Sequence, residues 1–148
     1  MRSSAAVLFI LLLCQACTKH YASATTAGHT AAVSAESVAA GWKLDKVEIP
    51  SQAAGTQATN DAITQKETSL QNSLKGMTLD FNKDGTFQSQ VNGRSDMGTW
   101  KISGNNIEAL SKTSGNVTLF QIQSMNDNTM IVSCQSEKTI LRMTFVKK

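Results

Sequence analysis

From Met77 to the end, the chain is a succession of short runs in which apolar side chains recur at every second position, each run closed by Asn, Asp, Gly or Ser. Met77, Leu79 and Phe81 alternate with Thr78, Asp80 and Asn82, and Lys83-Asp84-Gly85 follows as a turn. Residues 86–91 return with Phe87 and Val91 in phase. The segment from Asn92-Gly93 to Asp96 reads as the next turn, and residues 97–103 place Trp100 and Ile102 on one face. Residues 107–111, 117–125, 129–135 and 138–146 continue the series. A period of two describes a strand with one wet face, and Asn-Gly or Asp-Gly between such runs marks a tight hairpin. Many short strands joined by hairpins predict an antiparallel sandwich or a closed barrel, and closure removes edges that would otherwise recruit other chains.

The segment before Met77 adds one strand and one helix. Residues 42–49 pair Trp42 with Leu44, and Val47 with Ile49 after a one-residue slip of phase, which predicts a bulge. Pro50 ends the run, having no N–H to give to a ladder. Residues 60–75 are polar with Ile63, Leu70 and Leu74 near a helical period. Asn60 is suited to cap this helix, Asp61 to sit in its first turn and Gly76 to stop it.

The N-terminus has a different grammar. Residues 1–4 carry one positive charge, residues 5–13 are an unbroken apolar run, and Cys14-Gln15-Ala16-Cys17 follows. This order describes a signal peptide, and the apolar run is too short for a membrane span. The stretch around Ala16-Cys17 resembles the lipobox of bacterial lipoproteins, with Cys14 in the place where Leu is usual. The reading is a signal peptide over residues 1–16 and a lipid-anchored Cys17. Ala22-Ser23-Ala24 leaves cleavage after Ala24 as the alternative. An acylated cysteine makes the lipid bilayer a partner, each buried methylene adding about 0.8 kcal/mol. Thr18 and Lys19 follow, with neither the Asp nor the acidic run that redirects such lipoproteins. The resemblance thus implies an outer-membrane anchor facing the periplasm in preference to the cell surface.

Residues 17–40 are mostly Ala, Ser, Thr and Gly and read as a flexible tether. Its end, residues 31–40, has the composition of a short helix capped by Thr30 or Ser34. His20 and His29 fall in this tether and read as solvated linker residues. Residues 41–148 form the domain. Loss of Arg2 with the signal leaves Lys+Arg at 13, down from 14, against 11 acids, which is no footprint for nucleic acid. Cys134 lies in an apolar run of a domain that contains no histidine, so it reads as a core residue and not as a nucleophile. Asp80 to Gly85 matches the opening of a calcium loop, but its twelfth position is Val91 where calcium needs Glu, and a hairpin explains the same letters. The remaining carboxylates fall in turns or on outer faces. The expectation is no enzyme, no cofactor and no metal.

Leu79-Asp80-Phe81-Asn82-Lys83-Asp84-Gly85-Thr86-Phe87, with Gly98-Thr99-Trp100 and the late Thr144-Phe145-Val146-Lys147, resembles the bacterial lipocalin-like domain lipoproteins of the Bacteroidetes type. Gly41-Trp42-Lys43-Leu44 matches their opening strand, apart from a missing spacer before Trp42. The resemblance implies an all-β fold, an antiparallel meander barrel of about eight strands, here with one short helix between the first and second. Such a barrel is of the size at which side chains fill the lumen or leave room for one small ligand. Met77, Phe81, Phe87, Trp100, Met130, Met143 and Phe145 are the candidate lining. Two functions stay open: a membrane-anchored binding module holding a small hydrophobic ligand, and a filled barrel that docks an envelope protein partner.

Overall fold

A computed structural model of the chain describes residues 33–50, 57–136 and 139–148. The signal segment, Cys17, the alternative site at Ala22-Ser23-Ala24 and both histidines lie outside the described residues. Eight antiparallel strands close into a barrel in sequence order: β1 (Gly41–Glu48), β2 (Thr78–Phe81), β3 (Thr86–Val91), β4 (Arg94–Ser103), β5 (Asn106–Ser111), β6 (Val117–Met125), β7 (Thr129–Ser136) and β8 (Thr139–Lys147). β8 returns to β1, with Leu44 opposite Phe145 and Trp42 opposite Lys147. Helix α1 (Ala35–Val38) precedes the barrel, and α2 (Gln57–Ser73) connects β1 to β2.

The bulge expected in the first strand is present. The β1–β8 register shifts between Leu44 and Lys46, so Trp42, Leu44 and Val47 all face inward while Asp45 and Lys46 face water. A second bulge lies in β6, between Ile122 and Ser124. The β3–β4 turn is tighter than the sequence suggests. Only Asn92 and Gly93 form it, both with positive φ (49° and 74°), the two-residue type that matches strand twist. β4 therefore starts at Arg94, and Asp96 belongs to the strand and not to the turn.

The short helix expected within residues 31–40 is present, and of the two candidate caps it is Ser34 that caps α1, accepting from the Ser37 N–H; Val38 at its end is buried in the core. Burial of Val38 and the Trp42 indole against it supply the order that the local composition lacks. One further expectation is corrected. The second helix starts at Gln57, so Asn60 is an exposed residue inside it and not its cap. Nothing between Gln57 and Asn60 breaks a helix, and Ala58 favours one.

α2 completes an edge that the barrel leaves open. β1 pairs with β2 over Gly41, Trp42 and Lys43 only. Beyond them, the Val47 N–H donates to Gln71 Oε1 (2.8 Å), Gln71 Nε2 donates to the Asp45 carbonyl (3.0 Å), and the Ile49 N–H donates to Glu67 Oε1 (2.6 Å). Side chains of the helix thus stand in for a neighbouring strand, while Leu74 inserts into the core at 2% exposure. Backbone groups in such a half-buried edge need partners. Gln71→Ala is expected to cost about 1–3 kcal/mol, because the Val47 N–H loses its acceptor. Urea unfolding checks this, with exposed Thr68→Ala as a reference expected to change little.

Candidate functional site

Two questions define the site: whether the barrel is hollow, and what its outer wall offers. The candidate lining residues Met77, Phe81, Phe87, Trp100, Met130, Met143 and Phe145 are all buried, Met130 and Phe145 completely. They belong to a single core with Trp42, Leu79, Ile107, Phe120, Val132, Leu141 and others. Phe81 stacks obliquely on Trp100, ring centres 5.0 Å apart, and lies 6.4 Å from Phe87. Both indoles use their N–H groups locally: Trp42 donates to the Val38 carbonyl and Trp100 to the Asn82 carbonyl, each at 2.9 Å.

These side chains fill the barrel more than they line it. The void bordered by Leu79, Phe81, Phe87, Phe120 and their neighbours measures about 10 Å³. That is about the space of one water and far below the several hundred Å³ of a pocket that encloses a small organic ligand. Of the seven candidates only Phe81 and Phe87 border it. Around this void the rings of Phe81, Phe87 and Trp100, on three successive strands, pack against one another and take up the space.

One end of the interior is polar, which the sequence reading missed. Ser89, Ser111 and Thr118 are buried, and with Asp96 they border the same void. Asp96 Oδ1 accepts from Ser111 Oγ and from the Met97 N–H, both at 2.9 Å. Strict alternation carries the signal. Phe87, Ser89 and Val91 share one phase, as do Asp96, Gly98 and Trp100. Once Asn92-Gly93 is taken as a two-residue turn, Asp96 must face inward.

The outer wall holds a second feature. An open groove of about 590 Å³ runs over β3, β4 and β5, lined among others by Gln88, Met97, Gly98, Thr99, Leu110 and Lys112. Phe87 and Ser111, which border the internal void, also form part of its floor. Gly98 lies in the wall beneath it, where the strands approach closely. A Cβ there would stand 1.9 Å from the Leu110 carbonyl oxygen and 2.8 Å from Phe87 Cε1. Only glycine lets β5 and the Phe87 ring close in on β4 at this point. Met97 is 54% exposed, Leu110 44%, Val117 43% and Leu119 51%. Leu110 and Val117 are cross-strand partners, and Leu119 follows on the same face of β6. Single exposed apolar residues are ordinary, but four on one wall form a patch of the kind that marks interaction.

Charge is sparse. Lys101 pairs with Glu108 across β4–β5 (2.8 Å), Lys46 with Glu48 (2.7 Å) and Lys148 with Asp80 (2.8 Å), all on the surface. Asp84 accepts from the Thr86 hydroxyl and N–H, and these bonds hold its carboxyl below the usual range. The turn from Asn82 to Thr86 thus satisfies its own polar groups, with Gly85 at φ 82°, while the Asp80 carboxylate is taken by Lys148. Among the described residues no three His, Cys, Asp or Glu side chains converge as a metal-binding set. Cys134 is a buried core residue.

A closed eight-strand meander with a packed interior and a groove on its wall defines a small lipocalin-type barrel. The sequence profile described as the lipocalin-like domain matches residues 40–132, more than half of the chain, and the chain belongs to that family. No curated protein matches the sequence. Among solved structures it is similar to a DUF4847 family protein from Bacteroides vulgatus, with 12% identity and a TM-score of 0.48, over 74% of this chain and 93% of that one.

Proposed function

We propose that this protein is a lipid-anchored binding module of the cell envelope. Acylated Cys17 holds it to the outer membrane on the periplasmic side, and the outer wall of the barrel, not its lumen, does the binding. The observation that carries this reading is the contrast between a void of about 10 Å³ inside and a groove of about 590 Å³ outside. The lipocalin-like fold supports a binding role, and the lipobox-like Ala16-Cys17 supports the anchor. No catalytic step or cofactor enters this reading.

A second reading has its own observation. Val117 and Leu119 extend the apolar surface beyond the groove onto β6, a shape suited to a protein partner. Native mass spectrometry of the protein extracted from its own membranes separates the two. A co-purifying small mass supports the ligand module, a co-purifying polypeptide supports docking, and a bare acylated mass contradicts both. For the anchor, Cys17→Ala is expected to move the protein from the membrane pellet to the soluble fraction and to abolish labelling by a radioactive fatty acid. A variant that stays membrane-bound and labelled would contradict the anchor.

A further inference from the structure

We propose that the groove over Gly98 is a binding site for a monomeric amphipathic anion, with its apolar chain on Met97 and Leu110 and its acidic head at Lys112. The inference rests on the binding-module reading and deepens it by naming the site and the ligand class.

Volume comes first. About 590 Å³ is within the range of sites that take small organic molecules, although this one lies on the outside of the barrel. Its floor is apolar where Phe87 shows through beside Gly98, and Met97 and Leu110 flank it with much of their surface in water. Covering these side chains removes apolar area from water, which favours an occupant with a hydrocarbon body.

Charge selects the head. Among the described residues that line the groove, Lys112 is the one charged side chain. It takes part in none of the ion pairs formed by Lys46, Lys101 and Lys148. The Lys112 N–H donates to the Met97 carbonyl (2.8 Å), which fixes the start of its side chain beside the apolar wall. A carboxylate held there keeps its chain directed along Met97 and Leu110.

Backbone chemistry argues against an extended peptide. Peptides that add to a sheet draw affinity from unpaired edge groups. Here β3 pairs with β4, and β4 with β5, along the whole groove within a closed barrel, so that no edge is offered. An occupant is held instead by apolar contact with Met97 and Leu110, by polar side chains such as Gln88 and Thr99, and by one ion pair at Lys112, a grip that suits a small amphiphile.

The test titrates the purified full chain with dodecanoate below its micelle concentration, followed by calorimetry and by amide and methionine-methyl NMR. The expected result is saturable binding of one equivalent, with shifts centred on residues 97–99 and 110–112. Lys112→Glu is expected to weaken dodecanoate on the order of tenfold and to favour dodecyltrimethylammonium instead. Leu110→Glu, at a half-exposed position, is expected to abolish binding while thermal unfolding stays close to wild type. Four results overturn the proposal: no binding, equal affinity for the cationic amphiphile, binding to phosphatidylglycerol vesicles but not to the monomer, or shifts confined to the methyls of Met130 and Met143. If a native small mass co-purifies and survives both groove variants, the groove falls and the binding-module reading stands. A bare native mass together with no dodecanoate binding removes both.

Discussion

Trp42→Ala is expected to lower the unfolding free energy by about 3–5 kcal/mol, a large part of the stability of a small domain. Trp42 has no exposed surface and sits in β1 between Leu79 of β2 and Lys147 of β8, the seam at which the barrel closes. Its indole N–H also holds the Val38 carbonyl, so truncation opens a cavity and removes the contact that pins α1 to the barrel. Trp42→Phe separates the terms. It keeps most of the volume, loses the hydrogen bond, and is expected to cost about 1–3 kcal/mol. Chemical unfolding measures both. A loss below about 1 kcal/mol for the alanine variant would mean that this end is not closed as described.

Gly98→Ala is the second large effect, and its sign is informative. Where the backbone tolerates it, Gly→Ala usually stabilises by about 0.4–1 kcal/mol through the unfolded state. Gly98 is an ordinary strand residue without positive φ, so backbone conformation poses no obstacle. The obstacle is the Leu110 carbonyl oxygen at 1.9 Å, a backbone atom of a paired strand that cannot rotate away. The β4–β5 ladder must part, and overpacking of this kind costs about 1–3 kcal/mol or more. Thermal unfolding should place Gly98→Ala well below wild type, whereas Thr99→Ala on the exposed face should change little. A neutral or stabilising Gly98→Ala would mean that the close approach, and with it the floor of the groove, is misplaced.

Most of the barrel was legible because its determinants are local. Alternation of Met77, Leu79 and Phe81 sets the face of β2, and Asn92-Gly93 sets a hairpin. The phase slip between Leu44 and Val47 marks a bulge before any partner strand is known. The ends of elements were less legible, since α2 starts at Gln57 through continuity of helix-permissive residues, with Asn60 inside it. The short helix at Ala35–Val38 follows from its capping Ser34. Its docking follows only from a tertiary contact, the indole of Trp42, which no local pattern announces.

The site was the least legible part. Which side chains point inward follows from phase, and all of Met77, Phe81, Phe87, Trp100, Met130, Met143 and Phe145 are buried. Whether they enclose space depends on how the strands tilt and stagger, a global property that fixes barrel diameter and that no single strand encodes. The groove arises from how β3, β4 and β5 lie against one another, and the glycine at position 98, inside a strand, is the one sequence sign of their close approach.

The function proposed above needs a barrel that is filled inside, so that binding falls to its outer wall. The most direct measurement is a crystal structure of the protein pressurised with xenon, which enters apolar cavities of the size that a lumenal ligand would need. The account predicts no xenon within the ring of Trp42, Phe81, Trp100, Met130 and Phe145. A well-occupied xenon site among those side chains would contradict it and return the binding function to the lumen.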